Sequence, residues 1–150
     1  NGGIVYWPRL VDRLETSDPL NKQAGVRYLS GKMRGRLDVN PANLKVIQDA
    51  MLADVEDPEG TGSKAKVDGF RVCGKTGTAE VKRGNTLVRK DTWFVSYAPY
   101  EEPQYAVVVL VEGGSSGGKT CAPVAGKIYK EIKKVLENTS RDNLRPIIGF

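Results

Sequence analysis

The chain contains no histidine, and that absence removes more chemistry than any other feature of its composition. Neither a Ser-His-Asp nor a Cys-His arrangement can be assembled from it, and no histidine-ligated metal centre. Only two cysteines occur, Cys73 and Cys121, too few for a structural zinc site by themselves. They lie far apart in sequence, and two small buried thiols are expected ahead of a single disulfide. Long apolar runs are missing as well: the longest, Ala106 to Val111, is far too short to cross a bilayer. No basic, hydrophobic, small-residue leader opens the chain. Its first residues, Asn1-Gly2-Gly3-Ile4-Val5-Tyr6, read as the stop of one element running into a strand. The expectation is a piece of a longer protein, with any targeting segment upstream.

What is present is ordinary in bulk. A hydrophobic fraction of 39% and a charged fraction of 27% over 150 residues suit one soluble globular domain with a real core. The formal charge of +5 gathers in two places. One is Lys64, Lys66, Arg71, Lys75, Lys82, Arg83, Arg89 and Lys90; the other is Lys127, Lys130, Lys133 and Lys134. Such charge suits an anionic partner, or else a solvated face, the reading favoured for the second group. Nucleic acid is not expected, because no recognised motif or aromatic stacking platform accompanies the charge.

Along the chain, Ile4 to Leu14 alternates loosely around Pro8, as an edge strand or irregular extended segment does. Short extended pieces are expected between Val26 and Val39. Asn40-Pro41 opens a helix, with Asn as the cap and Pro at the first helical position. Its apolar face is Leu44, Ile47, Met51, Leu52 and Val55, and Asp57-Pro58-Glu59-Gly60 ends it. Gly60-Thr61-Gly62-Ser63 reads as a flexible loop. Three strands are expected at Phe70 to Ala79, Thr92 to Ala98 and Tyr105 to Glu112, the first two joined by a charged link with a turn signal at Gly84-Asn85. A last helix is expected from about Ala122 to Leu136, with an apolar stripe of Val124, Ala125, Ile128, Tyr129, Ile132, Val135 and Leu136. A tail from Asn138 to Phe150 shows no periodicity. A strand meander followed by a helix folded back on it argues α+β.

Two segments fit the phosphate-loop pattern G-x-x-x-x-G-K-[ST]. In Gly69 to Thr76 the interior Phe-Arg-Val-Cys is bulky and strand-like, unsuited to wrapping a phosphate. Gly113 to Thr120 is small throughout and stands between a strand and a helix, the context such a loop requires. Only one helix and a short tail follow, with no further strand ending in a magnesium-holding aspartate. A nucleotide-binding protein built on Gly113 to Thr120 is therefore the weaker alternative.

The sharper motif is Lys75-Thr76-Gly77-Thr78, at the end of the apolar run Phe70-Arg71-Val72-Cys73-Gly74. A cation, two hydroxyls and a glycine at a strand end can hold a carboxylate and polarise a carbonyl. Penicillin-recognising serine enzymes carry K-[ST]-G as their third signature, and GKTGTAE from Gly74 to Glu80 resembles it closely. QDAMLADVEDPEGTG, TWFVSYAPY, YAVVVLVEGGSSGGKTCAPVAGKI and the opening NGGIVYWPRLV are similar, in that family's order, to the C-terminal half of the class B penicillin-binding protein transpeptidase domain. The Val-Glu-Gly-Gly…Gly-Gly…Ala-Pro stretch most resembles the elongation type. The resemblance implies a partial transpeptidase domain over residues 1–137 with a tail over 138–150, an antiparallel sheet and a packed C-terminal helix.

It also implies a function: peptidoglycan D,D-transpeptidation, on stem peptides ending in D-Ala-D-Ala and inhibited by β-lactams, which mimic them. Lys75, Thr76, Gly77 and Thr78 would bind the substrate carboxylate, with the peptide added along the strand edge. The Thr78 N–H would be half of an oxyanion hole. No metal or cofactor is implied. The implied location is the outer face of the bacterial cytoplasmic membrane, periplasmic in a Gram-negative cell, held by an N-terminal anchor outside this chain. The family's nucleophile lies in S-x-x-K and a second serine in S-x-N, and no S-x-N occurs here. S-x-x-K occurs at Ser63-Lys66 and Ser116-Lys119, both in loop contexts on the wrong side of the expected order. A chain without the nucleophile is expected to be inactive alone, to expose apolar surface and to self-associate. Within the family a division-type enzyme is the nearest rival, and a β-lactam-sensing receptor with the same domain is the alternative function.

Overall fold

The computed structural model describes residues 2–11, 13–15, 17, 20, 25–27 and 31–143, with side chains described up to residue 139. It divides into two compact units, Asn1–Leu44 and Lys45–Phe150.

The first unit holds short antiparallel pairs. Strand β1 (Ile4–Tyr6) pairs with β4 (Met33–Arg36), and β2 (Arg13–Leu14) pairs with β3 (Val26–Arg27). The β1–β4 register shifts between Val5 and Tyr6, just ahead of Pro8. Helix α1 (Pro41–Glu56), which lies in the second unit from Lys45 onward, begins where the sequence places it. The Asn40 carboxamide oxygen accepts from the Ala42 N–H at 2.9 Å, satisfying one of the orphan amides of the first turn. Of the expected apolar face, Val55 is buried while Ile47 stays exposed.

The second unit is an antiparallel sheet, β5 (Cys73–Arg83), β6 (Thr86–Ala98) and β7 (Tyr105–Glu112), in that order, with α2 (Ala122–Asn143) packed on one face. Strand β7 falls on the expected residues. Strand β5 begins at Cys73 rather than Phe70 and runs on to Arg83, and β6 begins at Thr86 rather than Thr92, because what reads as a charged link is the distal half of a hairpin closed by Gly84-Asn85. Gly84 adopts φ +61°, the left-handed conformation such a tight turn requires. Side chains on those distal rungs meet solvent on both faces, so their polarity does not argue against strand.

Directly paired residues share a face. On the inner face, Thr92, Phe94, Ser96 and Ala98 of β6 are buried, with Val107, Val109 and Val111 of β7 packed against the same core. Helix α2 supplies Ala122, Ala125 and Tyr129, and the segment before β5 supplies Ala65, Val67, Phe70 and Val72. Buried hydroxyls are satisfied within this layer. Tyr129 donates to Ser96 Oγ at 3.1 Å, Ser96 to the Val107 carbonyl at 2.9 Å, and Thr92 to the Val111 carbonyl at 3.0 Å. Cys73 and Cys121 are both buried and both free thiols. The outer face is different: Trp93, Val95, Val108 and Leu110 are 38–59% exposed.

Two expectations are corrected. Gly60-Thr61-Gly62-Ser63 is not a flexible loop. Backbone bonds from Gly60, Gly62 and Ser63 to Asp57, Asp54 and Gly60 carbonyls wind it into a turn that continues as a 3₁₀ turn over Ser63–Ala65. The last helix runs past Leu136 to Asn143, because polar helix formers such as Glu137 prolong it without an apolar stripe. Its expected stripe is only half used: Ala125 and Tyr129 are buried, whereas Val124, Ile128 and Val135 are exposed. Residues 144–150 of the expected tail lie outside the described residues.

Candidate substrate-binding site

Among the described residues, strand β5 is an edge of its sheet, and one of its backbone edges carries no strand partner. Lys75, Thr76, Gly77 and Thr78 stand on it opposite Val95, Phe94, Trp93 and Thr92. The alternation of a strand divides them. Thr76 and Thr78 point with Phe94 and Thr92 to the inner face, and Lys75 and Gly77 lie on the outer face beside Val95 and Trp93. Polar groups thus stand on both faces of this edge strand. Lys75 is exposed and donates from Nζ to the Thr76 carbonyl at 2.8 Å, which curls its ammonium around that edge.

Beneath the motif the strands are pressed close. A methyl group on Gly74 would lie 2.1 Å from Cζ of Phe94, so only glycine lets that ring seat under the strand. At the far side the segment Gly117–Cys121 forms a π turn, opened by Ser116, whose Oγ accepts from the Lys119 N–H at 3.3 Å. A Cβ on Gly117 would lie 2.3 Å from the Trp93 carbonyl oxygen and 2.8 Å and 2.9 Å from O and N of Gly77. One on Gly118 would lie 2.1 Å from the Thr61 carbonyl oxygen. These glycines serve backbone-to-backbone packing against the motif strand and its neighbours. That is an alternative to the phosphate cradle that the pattern Gly113 to Thr120 resembles.

Two hydrogen bonds reach the motif's hydroxyls from outside the strand. The Gly117 N–H donates to Thr78 Oγ1 at 3.4 Å. Thr76 Oγ1 lies 2.7 Å from Thr61 Oγ1, and Thr61 in turn donates to Asp54 Oδ1 from its hydroxyl at 2.7 Å and from its N–H at 3.1 Å. Asp54, Thr61 and Gly117 were not legible as site residues. Asp54 reads as a polar position on α1 and Thr61 as loop, and only the fold brings them beneath the strand. The G-T-G context of Thr61 was the one available signal, since small residues flanking a hydroxyl mark a close backbone approach.

Neither S-x-x-K serine is set up as a nucleophile. Lys66 pairs with Glu56 at 2.7 Å, and the carboxylate hydrogen bond raises the Lys66 pKa. Ser116 is occupied as the cap of its turn. Much of the basic cluster is likewise paired: Arg71 with Glu101 at 2.6 Å, Lys82 with Glu80 at 3.1 Å, and Arg89 with Asp91 at 2.9 Å. Burial pushes the Cys73 thiol pKa up, away from the reactive thiolate range.

The chain as a whole has known counterparts. Residues 1–130 match the model of the penicillin binding protein transpeptidase domain. Stage V sporulation protein D of Bacillus subtilis is 34% identical over 149 residues, which is 95% of this chain and 22% of that protein. Peptidoglycan D,D-transpeptidase MrdA of Haemophilus influenzae is 38% identical over 86 residues, 49% of this chain and 13% of that protein. Among solved structures, the ceftriaxone acyl-enzyme complex of penicillin-binding protein A from M. tuberculosis superposes with a TM-score of 0.67 at 30% identity, over 87% of this chain and 28% of that one.

The chain belongs to the class B penicillin-binding protein transpeptidase family. Its fold is that of part of such a domain, and it spans about a fifth of the length of the sporulation protein.

Proposed function

We propose that residues 75–78 are the substrate-binding wall of a serine-type peptidoglycan D,D-transpeptidase, of elongation type, whose nucleophile lies outside residues 1–150. The observation that carries this reading is that Lys75, Thr76 and Thr78 follow one another on β5, an edge strand of its sheet among the described residues. A stem peptide ending in D-Ala-D-Ala lies along that edge as an added strand. Its terminal carboxylate is held by the ammonium of Lys75 and the threonine hydroxyls. Gly77 adds no side chain to obstruct the ligand backbone. The Thr78 N–H and the nucleophile's own N–H stabilise the oxyanion, each donor contributing about 3–4 kcal/mol in the transition state. The serine attacks the penultimate D-alanine carbonyl, the peptide bond to the last residue breaks, and D-alanine leaves. An amine on a neighbouring stem peptide then takes the acyl group, cross-linking the wall and freeing the serine. β-Lactams enter the same site because they present a carboxylate and a strained acyl group in the same relation.

The exposed apolar outer face of the sheet supports the reading, since Trp93, Val95, Val108 and Leu110 lie beside Lys75 where the remainder of a transpeptidase domain can pack. We place the whole protein outside the cytoplasmic membrane, anchored by a segment other than these residues; among the described residues no helix is long and apolar enough to cross a membrane. The test is labelling with a fluorescent penicillin. The full-length protein is expected to carry a denaturation-resistant adduct on a serine outside residues 1–150, and the isolated chain none. An adduct on the isolated chain overturns the assignment of the nucleophile.

A further inference from the structure

The first unit carries a surface to which the acyl-transfer chemistry assigns no task. Strands β1 and β4 pair Val5 with Gly35 and Tyr6 with Met33, which leaves Arg34 as the extra residue of a β-bulge on β4. A bulge re-aims a side chain. Here it accompanies a guanidinium set over the indole of Trp7, with Arg34 Cζ 4.8 Å from the ring centroid, inside cation–π range. Trp7 is held through its backbone as well. Its N–H donates to the Lys32 carbonyl at 3.0 Å, and the following Pro8 favours an extended backbone at Trp7.

The ring is held but not covered, for Trp7 remains 53% exposed. A single exposed apolar residue needs no explanation. This one lines a groove of about 420 Å³ that runs along Pro8 to Val11 on one side and Gly31 and Lys32 on the other. That volume lies within the range of ligand sites. Positive charge accompanies it: Lys32, Arg34 and Arg36 are exposed, and none makes an ion pair among the described residues, whereas Arg13 in the same unit is paired with Glu15. A flat apolar face beside unpaired cations suits a ligand with a flat C–H face and negative groups close to it. A pyranose ring offers that face, and a sugar chain bearing carboxylate-containing peptides offers those charges. A peptide alone brings the charges without the ring.

We propose that this groove binds the glycan of peptidoglycan, with a sugar ring stacked on Trp7 and carboxylates of the attached peptides met by Lys32 and Arg36. Arg34 holds the indole in place from its other side. The choice of polymer rests on the transpeptidase reading; the held indole and the unpaired cations do not.

The test is titration of the full-length protein with soluble peptidoglycan chains, with the same chains stripped of peptides by an amidase, and with the free peptide. The wild-type protein is expected to bind the complete chains most tightly and the stripped glycan more weakly. Trp7→Ala is expected to weaken both glycan forms about tenfold or more, as truncation of a tryptophan anchor does, and to leave free-peptide binding unchanged. Trp7→Tyr keeps an aromatic face and is expected to retain most of the affinity. Lys32→Gln combined with Arg36→Gln is expected to weaken the complete chains several-fold, to flatten their salt dependence and to leave the stripped glycan unaffected. Benzylpenicillin acylation at the wild-type rate reports that each variant is folded; where Trp7→Ala fails that check, Trp7→Tyr and the double variant decide. Stripped glycan bound equally by wild type and folded Trp7→Ala overturns the proposal, and so does a Trp7→Ala loss confined to the free peptide. If the wild-type protein binds glycan through Trp7 but is not acylated, the transpeptidase reading fails and the groove assignment stands.

Discussion

At residue 74 a single methyl group would meet the ring of Phe94 at 2.1 Å, and that ring is fully buried. Gly74→Ala is therefore expected to destabilise the chain by about 1–3 kcal/mol, the usual cost of overpacking a core, read as a drop in the urea midpoint at unchanged slope. Gly117→Ala meets backbone atoms of both β5 and β6, which cannot rotate aside. It is expected to displace the turn from the motif and to slow β-lactam acylation of the full-length protein even where the fold survives. A Gly117→Ala protein with wild-type acylation would show that the turn's contact with β5 is not needed. Both thiols are buried, and burial holds the Cys73 pKa above its ordinary value. With the folded pKa raised, the neutral thiol is the form present at and below neutral pH, and the stabilising difference fades only as pH rises through that pKa. Iodoacetamide at neutral pH is expected to label Cys73 and Cys121 only on unfolding; rapid labelling of native chain would contradict the packing described.

Elements were legible wherever their signals are local. The Asn40-Pro41 start of α1 and the bounds of β7 follow from capping chemistry and from a short apolar run bounded by turn signals, and both stand in the structure. Asn40→Ala is expected to cost about 1 kcal/mol, visible as a lower melting temperature with little change elsewhere. The distal half of the β5–β6 hairpin was hidden because exposed rungs need no apolar residues. The ordered turn at Gly60–Ser63 was hidden because its glycines serve close approach to Asp54 and Phe94, a tertiary cause that reads locally as flexibility. The same holds for the site. Lys75-Thr76-Gly77-Thr78 is contiguous and announces itself, but the groups that set its hydroxyls come from α1, the turn after it and the turn before α2. Their spacing in sequence carries no trace of that meeting.

For the whole molecule, the informative feature is an imbalance between the two faces of one sheet. The inner face is sealed by α2, and the outer face leaves Trp93, Val95, Val108 and Leu110 exposed around Lys75. An apolar face of this kind is rarely left to water. The isolated chain is accordingly expected to self-associate, with light scattering showing species larger than a monomer and Val108→Lys reducing them; a strictly monomeric wild-type chain would contradict this. The central claim is that the edge of β5 holds the ligand's carboxylate, and the most direct measurement is the acylation rate of the full-length protein by benzylpenicillin with and without the Lys75 ammonium. Lys75→Ala is expected to slow acylation by about tenfold or more, the worth of a charged hydrogen bond, at an unchanged melting temperature because Lys75 is exposed. Acylation of Lys75→Ala at the wild-type rate would contradict the account.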